Sequence, residues 1–117
     1  MPIVDIEIVA PSVDPKMAQP LANALGHAFK AADGKVLVRL RALPPEHYAE
    51  NHVAGPTPPV FVTILSRQPP LGDALDRRVA SVTEAVARIT GINPQFVHVL
   101  FEAGSAGRLA HGGALVK

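Results

Sequence analysis

The chain has 117 residues and no cysteine, and eleven basic against ten acidic side chains leave a net charge of +1. That length fits one domain, 1–117. The missing cysteines exclude disulfide frameworks, thiolate metal sites and cysteine nucleophiles, and the charge balance argues against a nucleic acid or membrane surface recruited by bulk electrostatics. No apolar run approaches the length of a membrane span, and Asp5 and Glu7 interrupt the first nine residues, so no signal peptide is expected and the cytoplasm is the expected compartment. Hydrophobic residues nevertheless make up 48% of the sequence. For so small a chain this favours burial of one face by another copy of itself.

Met1 to Val9 opens the chain as an alternating strand, with Val4, Ile6 and Ile8 on one face and Ile3, Asp5, Glu7 and Val9 on the other. Pro2 follows only the initiator methionine. With Met1 trimmed, its nitrogen becomes a secondary amine whose reference pKa is about 7.7–8.0, and burial moves that value down toward neutrality, where a general base works best. The plain alternative is a proline tolerated as the first residue of a strand. Asp14-Pro15 then reads as a cap and first helical position, with Met17, Leu21, Leu25, Ala28 and Ala32 at helical spacing and Asp33-Gly34 as the stop. Pro20 inside that stretch is expected to delay the regular helix to about Gln19.

Val36 to Leu43 reads as a second strand, placing Val36, Val38, Leu40 and Ala42 on one side and Arg39 and Arg41 on the other. The composition from Pro44 to Pro59 indicates a loop, with one helical turn at Pro45 to Ala49 and a short hairpin near Asn51 to Val53. Val60 to Leu65 is a third strand. After Gln68-Pro69-Pro70 comes a second helix, with an apolar stripe of Leu71, Leu75, Val79, Val82, Val86 and Ile89, stopped by Gly91. Phe96 to Phe101 is a fourth strand, and Gly104 to Val116 reads as a glycine-rich hairpin whose last strand pairs with something.

The chain repeats itself. Pro2 and Pro59, and likewise Gly34 and Gly91, are 57 residues apart, and Arg39 and His98 are 59 apart. Two tandem βαβ units, 1–58 and 59–117, follow, and each implies a right-handed parallel crossover. The expected fold is α+β, one four-stranded sheet with two helices on one face. Its other face needs a partner, since two helices cannot cover both sides.

The opening Met1-Pro2-Ile3-Val4-Asp5-Ile6-Glu7-Ile8, the two βαβ units, and the segments Arg78 to Ile89, Val97-His98-Val99 and Gly107 to Gly113 resemble the tautomerase superfamily over nearly the full length. The second half resembles one short 4-oxalocrotonate tautomerase subunit and the whole chain two fused ones. The resemblance implies a homotrimer that needs no cofactor and uses an N-terminal proline, here Pro2, as catalytic base or acid. Pro59 cannot play that part because its nitrogen is an amide. Arg39 matches the arginine that holds a substrate carboxylate in that enzyme, and His98 stands at the corresponding place in the second half. Lys35 resembles the lysine near the substrate in macrophage migration inhibitory factor and its relatives. Arg67 resembles one of two arginines in cis-3-chloroacrylic acid dehalogenase, whose second arginine falls on Pro70 and whose fourth-strand tyrosine falls on Leu100, so that enzyme's water-activating equipment is incomplete.

The chemistry stands beside the resemblance. A neutral amine takes a proton from carbon next to a carbonyl, and an arginine fork grips the carboxylate or the developing enolate. For Arg39 and Arg41 the alternative is a pair of strand residues countering Asp5 and Glu7. Tyr48, the only tyrosine, is either a donor to a substrate oxygen or an amphipathic cap on a loop. His47 and His52, near Glu46 and Glu50, match no ligand spacing, so no metal is expected. The expected partners are a small carboxylate-bearing substrate and two further copies of the chain. Decarboxylation or hydration with Pro2 as a general acid is the alternative chemistry, and a non-catalytic trimeric binding protein is the alternative class.

Overall fold

In the computed structural model, which describes residues 2–117, the alternation of the apolar residues becomes a sheet with one buried and one open side. Its strands are β1 (Ile3–Val9), β2 (Leu37–Leu43), β3 (Val60–Leu65) and β4 (Val97–Phe101), in the order β2-β1-β3-β4. β1 runs parallel to β2 and β3 parallel to β4, while β1 and β3 meet antiparallel at the centre. Helices α1 (Ala18–Ala28) and α2 (Gly72–Thr90) provide the two crossovers. A further antiparallel pair, β5 (Ala110–His111) and β6 (Ala114–Leu115), makes the C-terminal hairpin, so the last strand pairs with its own neighbour.

Val4, Ile6 and Ile8 of β1 and Val60, Val62 and Ile64 of β3 point to the same side and meet Leu21 and Leu25 of α1 and Val82 and Val86 of α2. Each such side chain contributes about 1.5–3 kcal/mol through burial. This single core fixes the register, because a slip of one residue in either central strand would exchange valines and isoleucines for Asp5, Glu7 or Thr63. The opposite side carries Asp5, Glu7, Arg39 and Arg41 on the β1–β2 half, and Phe61, His98 and Leu100 on the β3–β4 half, with Leu100 59% exposed. The ring of Phe61 lies between Tyr48 and His98, at centroid distances of 6.0 and 5.5 Å.

Three expectations need correction. The first helix ends at Ala28, short of Asp33-Gly34. Lys30 adopts a left-handed φ of 52°, and the Lys30 and Ala31 N–H groups donate to the carbonyls of His27 and Gly26, which closes the last turn. Gly34 therefore belongs to a later turn, and its counterpart at the end of α2, Gly91 with φ 75°, corresponds to Lys30. The 57-residue offset also pairs Val4 with Phe61, yet Val4 is buried and Phe61 faces the open side. Equivalent positions in the two central strands must differ by an even number, since side chains alternate with period two. The regular helix does begin late, at Ala18 after a 3₁₀ turn over Pro15–Met17, within one residue of the expected delay to about Gln19, and as third residue Pro20 lacks only an N–H that a helix start leaves unpaired anyway. Leu71, assigned to the apolar stripe, precedes α2 and is 81% exposed.

Candidate active site

The parallel pairing of β1 with β2 places Pro2 at the strand end of a cleft. The Leu37 N–H donates to the Pro2 carbonyl oxygen at 3.0 Å, and since Ile3 lies opposite Leu65, the residue that follows β3, Ser66, comes to Pro2 at the strand end. A cleft of about 320 Å³ opens here, lined by Pro2, Phe29, Ala31, Ser66, Arg67, Gln68, Pro70 and Arg78. It lies at the lower end of the usual range for small-molecule sites, roughly 300–1,000 Å³. Met1, whose removal the reading of Pro2 as an amine requires, lies outside the described residues.

Of the residues singled out in the sequence, Pro2 and Arg67 share this cleft. Lys35 is exposed on the turn two residues before Leu37, at the same end of the sheet, and does not line the cleft. Arg39 and Arg41 project from the open side of β2. Arg39 grips Asp5 with two parallel bonds, Nε to Oδ1 at 2.5 Å and Nη2 to Oδ2 at 2.8 Å, and Arg41 reaches Glu7 at 3.2 Å and Asp5 at 3.6 Å. The hydrogen bonds from Arg39 hold the Asp5 carboxyl below its ordinary pKa against the opposing effect of its partial burial. Tyr48 donates its hydroxyl to Glu50 at 2.6 Å, which raises the phenol pKa, and its ring packs on Phe61. Phe61 lies opposite Glu7, five residues along β1 from Pro2, which is about 17 Å of strand.

The sequence reading missed Arg78. It sits in the second turn of α2, half-buried, with its guanidinium carbon 4.9 Å above the ring of Phe29. A signal was present, because Arg78 stands three residues after Leu75 and four before Val82, on the apolar stripe itself, where a charge is out of place unless something recruits it. Phe29 caps α1, its N–H still donating to the Leu25 carbonyl at 2.8 Å, and it lines the cleft. The segment 103–108 braces the opposite wall: the Ser105 N–H donates to the Ser66 carbonyl at 2.9 Å, and Arg108 donates to the Gly104 carbonyl at 2.5 Å. Gly104 lies so close that a Cβ there would stand 2.7 Å from the Arg67 carbonyl oxygen.

Among the described residues no acidic side chain lines the cleft, and neither Arg67 nor Arg78 forms an ion pair. Two cations and a potential amine thus face one space with no counter-charge. This arrangement suits a small anion whose reacting carbon is next to Pro2. Among the described residues no group of three or more His, Asp or Glu side chains is placed to hold a metal ion, and no helix is long and apolar enough to cross a membrane.

No known family profile and no curated protein matches the sequence. Solved structures do match its shape. Pt0534, crystallised after inactivation by 2-oxo-3-pentynoate, superposes with a TM-score of 0.78 at 19% identity over 97% of this chain and 94% of its own. A fused 4-OT forming a symmetric trimer gives 0.80 at 12% identity over the same shares. FG41 malonate semialdehyde decarboxylase, inhibited by 3-bromopropiolate, gives 0.72 at 14% identity over 94% of this chain and 88% of that one. The paired βαβ units, the strand order and these superpositions agree: the chain has the tautomerase superfamily fold.

Proposed function

We propose that this chain is a cofactor-independent tautomerase that moves a proton within a small 2-oxo or 2-hydroxy-enoic acid, with the Pro2 amine as general base and Arg67 as the cation for the carboxylate or developing enolate. The observation that carries the reading is the joining of Pro2 and Arg67 in one cleft without an acidic residue. Nearby positive charge disfavours a second cation, so Arg67 and Arg78 push a Pro2 amine toward its neutral, proton-accepting form. The same charge then stabilises the negative oxygen that grows as the proton leaves carbon. Pt0534 is inactivated by a 2-oxo acid, which supports this substrate class. Decarboxylation, the activity named for FG41 malonate semialdehyde decarboxylase, is the second reading; with Pro2 as acid it needs the protonated amine that two adjacent arginines oppose.

The reading includes a cytoplasmic homotrimer. The helix-free side of the sheet carries Ile3, Leu37, Phe61, Leu65 and Leu100, and a threefold arrangement of that side would bury it; the fused 4-OT forms a symmetric trimer. Arg39, Arg41 and Tyr48 lie on that side, so any contact of theirs with substrate is toward a neighbouring subunit's cleft.

The test is phenylpyruvate enolisation by wild type and Pro2→Ala, with native mass spectrometry to weigh the assembly and its N-terminus. Expected are three chains, each lacking Met1, and a loss of about 100-fold or more in kcat for Pro2→Ala. Unaltered activity in Pro2→Ala, or a retained Met1 that makes the nitrogen an amide, overturns the mechanism.

A further inference from the structure

We propose that Arg78 is the residue that reads the substrate's carboxylate, and that Phe29 is a positioning residue that holds its guanidinium, leaving Arg67 for the oxygen where charge develops. The inference rests on the tautomerase reading of the Pro2 cleft and assigns a division of labour between its two cations.

Three features of Arg78 distinguish it from Arg67. It projects from the interior of the 19-residue α2, whereas Arg67 is exposed on the connection after β3. It is half-buried, so an anion beside it is screened less by water than one beside a fully solvated side chain. Its guanidinium carbon already lies 4.9 Å over the centre of the Phe29 ring, within cation–π range. A guanidinium held over an aromatic ring still has N–H groups to offer, and a pair of them matches a carboxylate bidentately. This contact removes rotational freedom before substrate arrives, which is the freedom an arginine otherwise loses on binding. Phe29 is itself fixed, packed against the core at the end of α1. The Arg78 guanidinium is therefore held by the two helices together, while Arg67 stands one residue beyond Ser66, the residue that comes to Pro2 at the strand end. A 2-oxo acid bound with its carboxylate on Arg78 turns its carbonyl oxygen to Arg67 and its CH group to Pro2. As the proton passes to Pro2, the C–H electron pair becomes the new C=C bond and the carbonyl pair moves onto oxygen, so no co-reactant is needed.

The test compares phenylpyruvate with its neutral methyl ester. Wild type prefers the acid, and Arg78→Met lowers the acid-to-ester ratio of kcat/KM by about 30-fold, chiefly through KM for the acid and with little change for the ester. Arg78→Lys keeps the charge without the fork and gives a smaller fall. Phe29→Leu raises KM for the acid while leaving kcat, and Phe29→Tyr restores it, a split that simple loss of packing would not produce. An unchanged ratio in Arg78→Met, with Pro2-dependent activity intact, overturns the assignment. If no Pro2-dependent enolisation exists, the tautomerase reading fails separately, and titration with phenylacetate, followed by amide chemical shifts of Ala31 and Gln68, decides the binding role. Weaker binding by Arg78→Met, by about tenfold or more, then supports it, and equal binding overturns it.

Discussion

Arg39 and Arg41 are two residues apart on one strand, whereas Arg67 and Arg78 are eleven apart, on a connection and a helix, yet each pair works as a unit with opposite surroundings. Strand alternation puts Arg39 and Arg41 on the same side of β2, and parallel pairing with β1 brings Asp5 and Glu7 opposite them in register. Their charges are answered within the sheet. Arg67 and Arg78 meet only because two crossovers bring the end of β3, the end of α1 and the second turn of α2 to one place, and no carboxylate comes with them. Proximity in sequence thus made a structural clamp between strands, and proximity in space left positive charge unanswered beside Pro2. Unanswered charge is the kind an anionic substrate can use.

The sharpest way to break this contrast is to remove one arginine from each pair. Arg67→Met is expected to lower kcat/KM for phenylpyruvate about 100-fold, and the methyl ester with it, because a donor aimed at the developing oxyanion is lost. Arg39→Met, which removes an exposed ion-pair partner, is expected to leave kcat/KM within about threefold. Steady-state kinetics on the two variants side by side checks both. Equal large losses would mean that the β2 arginines reach substrate across subunits and that the two pairs are not functionally distinct.

The contrast also marks where the sequence was readable. The period-two pattern in Ile3 to Val9 and in Val60 to Leu65, and the stripe from Leu75 to Ile89, are set by which side faces the core, and local pattern carries that information. Arg39 and Arg41 were legible as a pair facing Asp5 and Glu7 for the same reason. Arg67 and Pro2, which share the cleft, were singled out in the sequence, the first through resemblance and the second through position. Arg78 and Phe29 were not singled out, because their meeting across α1 and α2 is a long-range contact that local pattern does not carry, and the stop of α1 was itself misplaced. That stop is made by Lys30 in a left-handed conformation that glycine usually supplies, so the sequence offered Gly34 as a more obvious terminator.

A smaller effect should come from the brace behind Arg67. In Gly104→Ala the new Cβ would stand 2.7 Å from the Arg67 carbonyl oxygen, a backbone atom that cannot swing aside, so the connection carrying Arg67 must shift. Small displacements of a positioning group are costly in rate, and a fall of about tenfold in kcat/KM is expected, together with a destabilisation of about 1–3 kcal/mol from overpacking. The Arg39 side of the molecule lies on another strand and should be untouched. Kinetics and thermal unfolding of the same preparation separate the two consequences, and a destabilised variant with unaltered kcat/KM would remove Arg67 from the reaction.

The smallest effect belongs to the clamp itself and appears in stability against pH. Asp5 has an ordinary pKa of 3.8, and Arg39 lowers it in the folded chain. A carboxyl whose folded pKa lies below its unfolded value contributes its full stabilisation above the unfolded value and loses it as pH falls through the folded one. Wild type should therefore lose part of its stability below about pH 4, whereas Asp5→Asn, which has no proton to gain there, should be the less stable protein at pH 7 and lose less on acidification. Since Arg39 is largely exposed the pair is well screened by water, and the difference should amount to no more than a few degrees in the unfolding midpoint. Thermal unfolding of both proteins at pH 7 and pH 3 measures it. Parallel losses in the two proteins would mean that the Arg39–Asp5 bonds contribute nothing, and the contrast between answered and unanswered arginines would then rest on the Pro2 cleft alone.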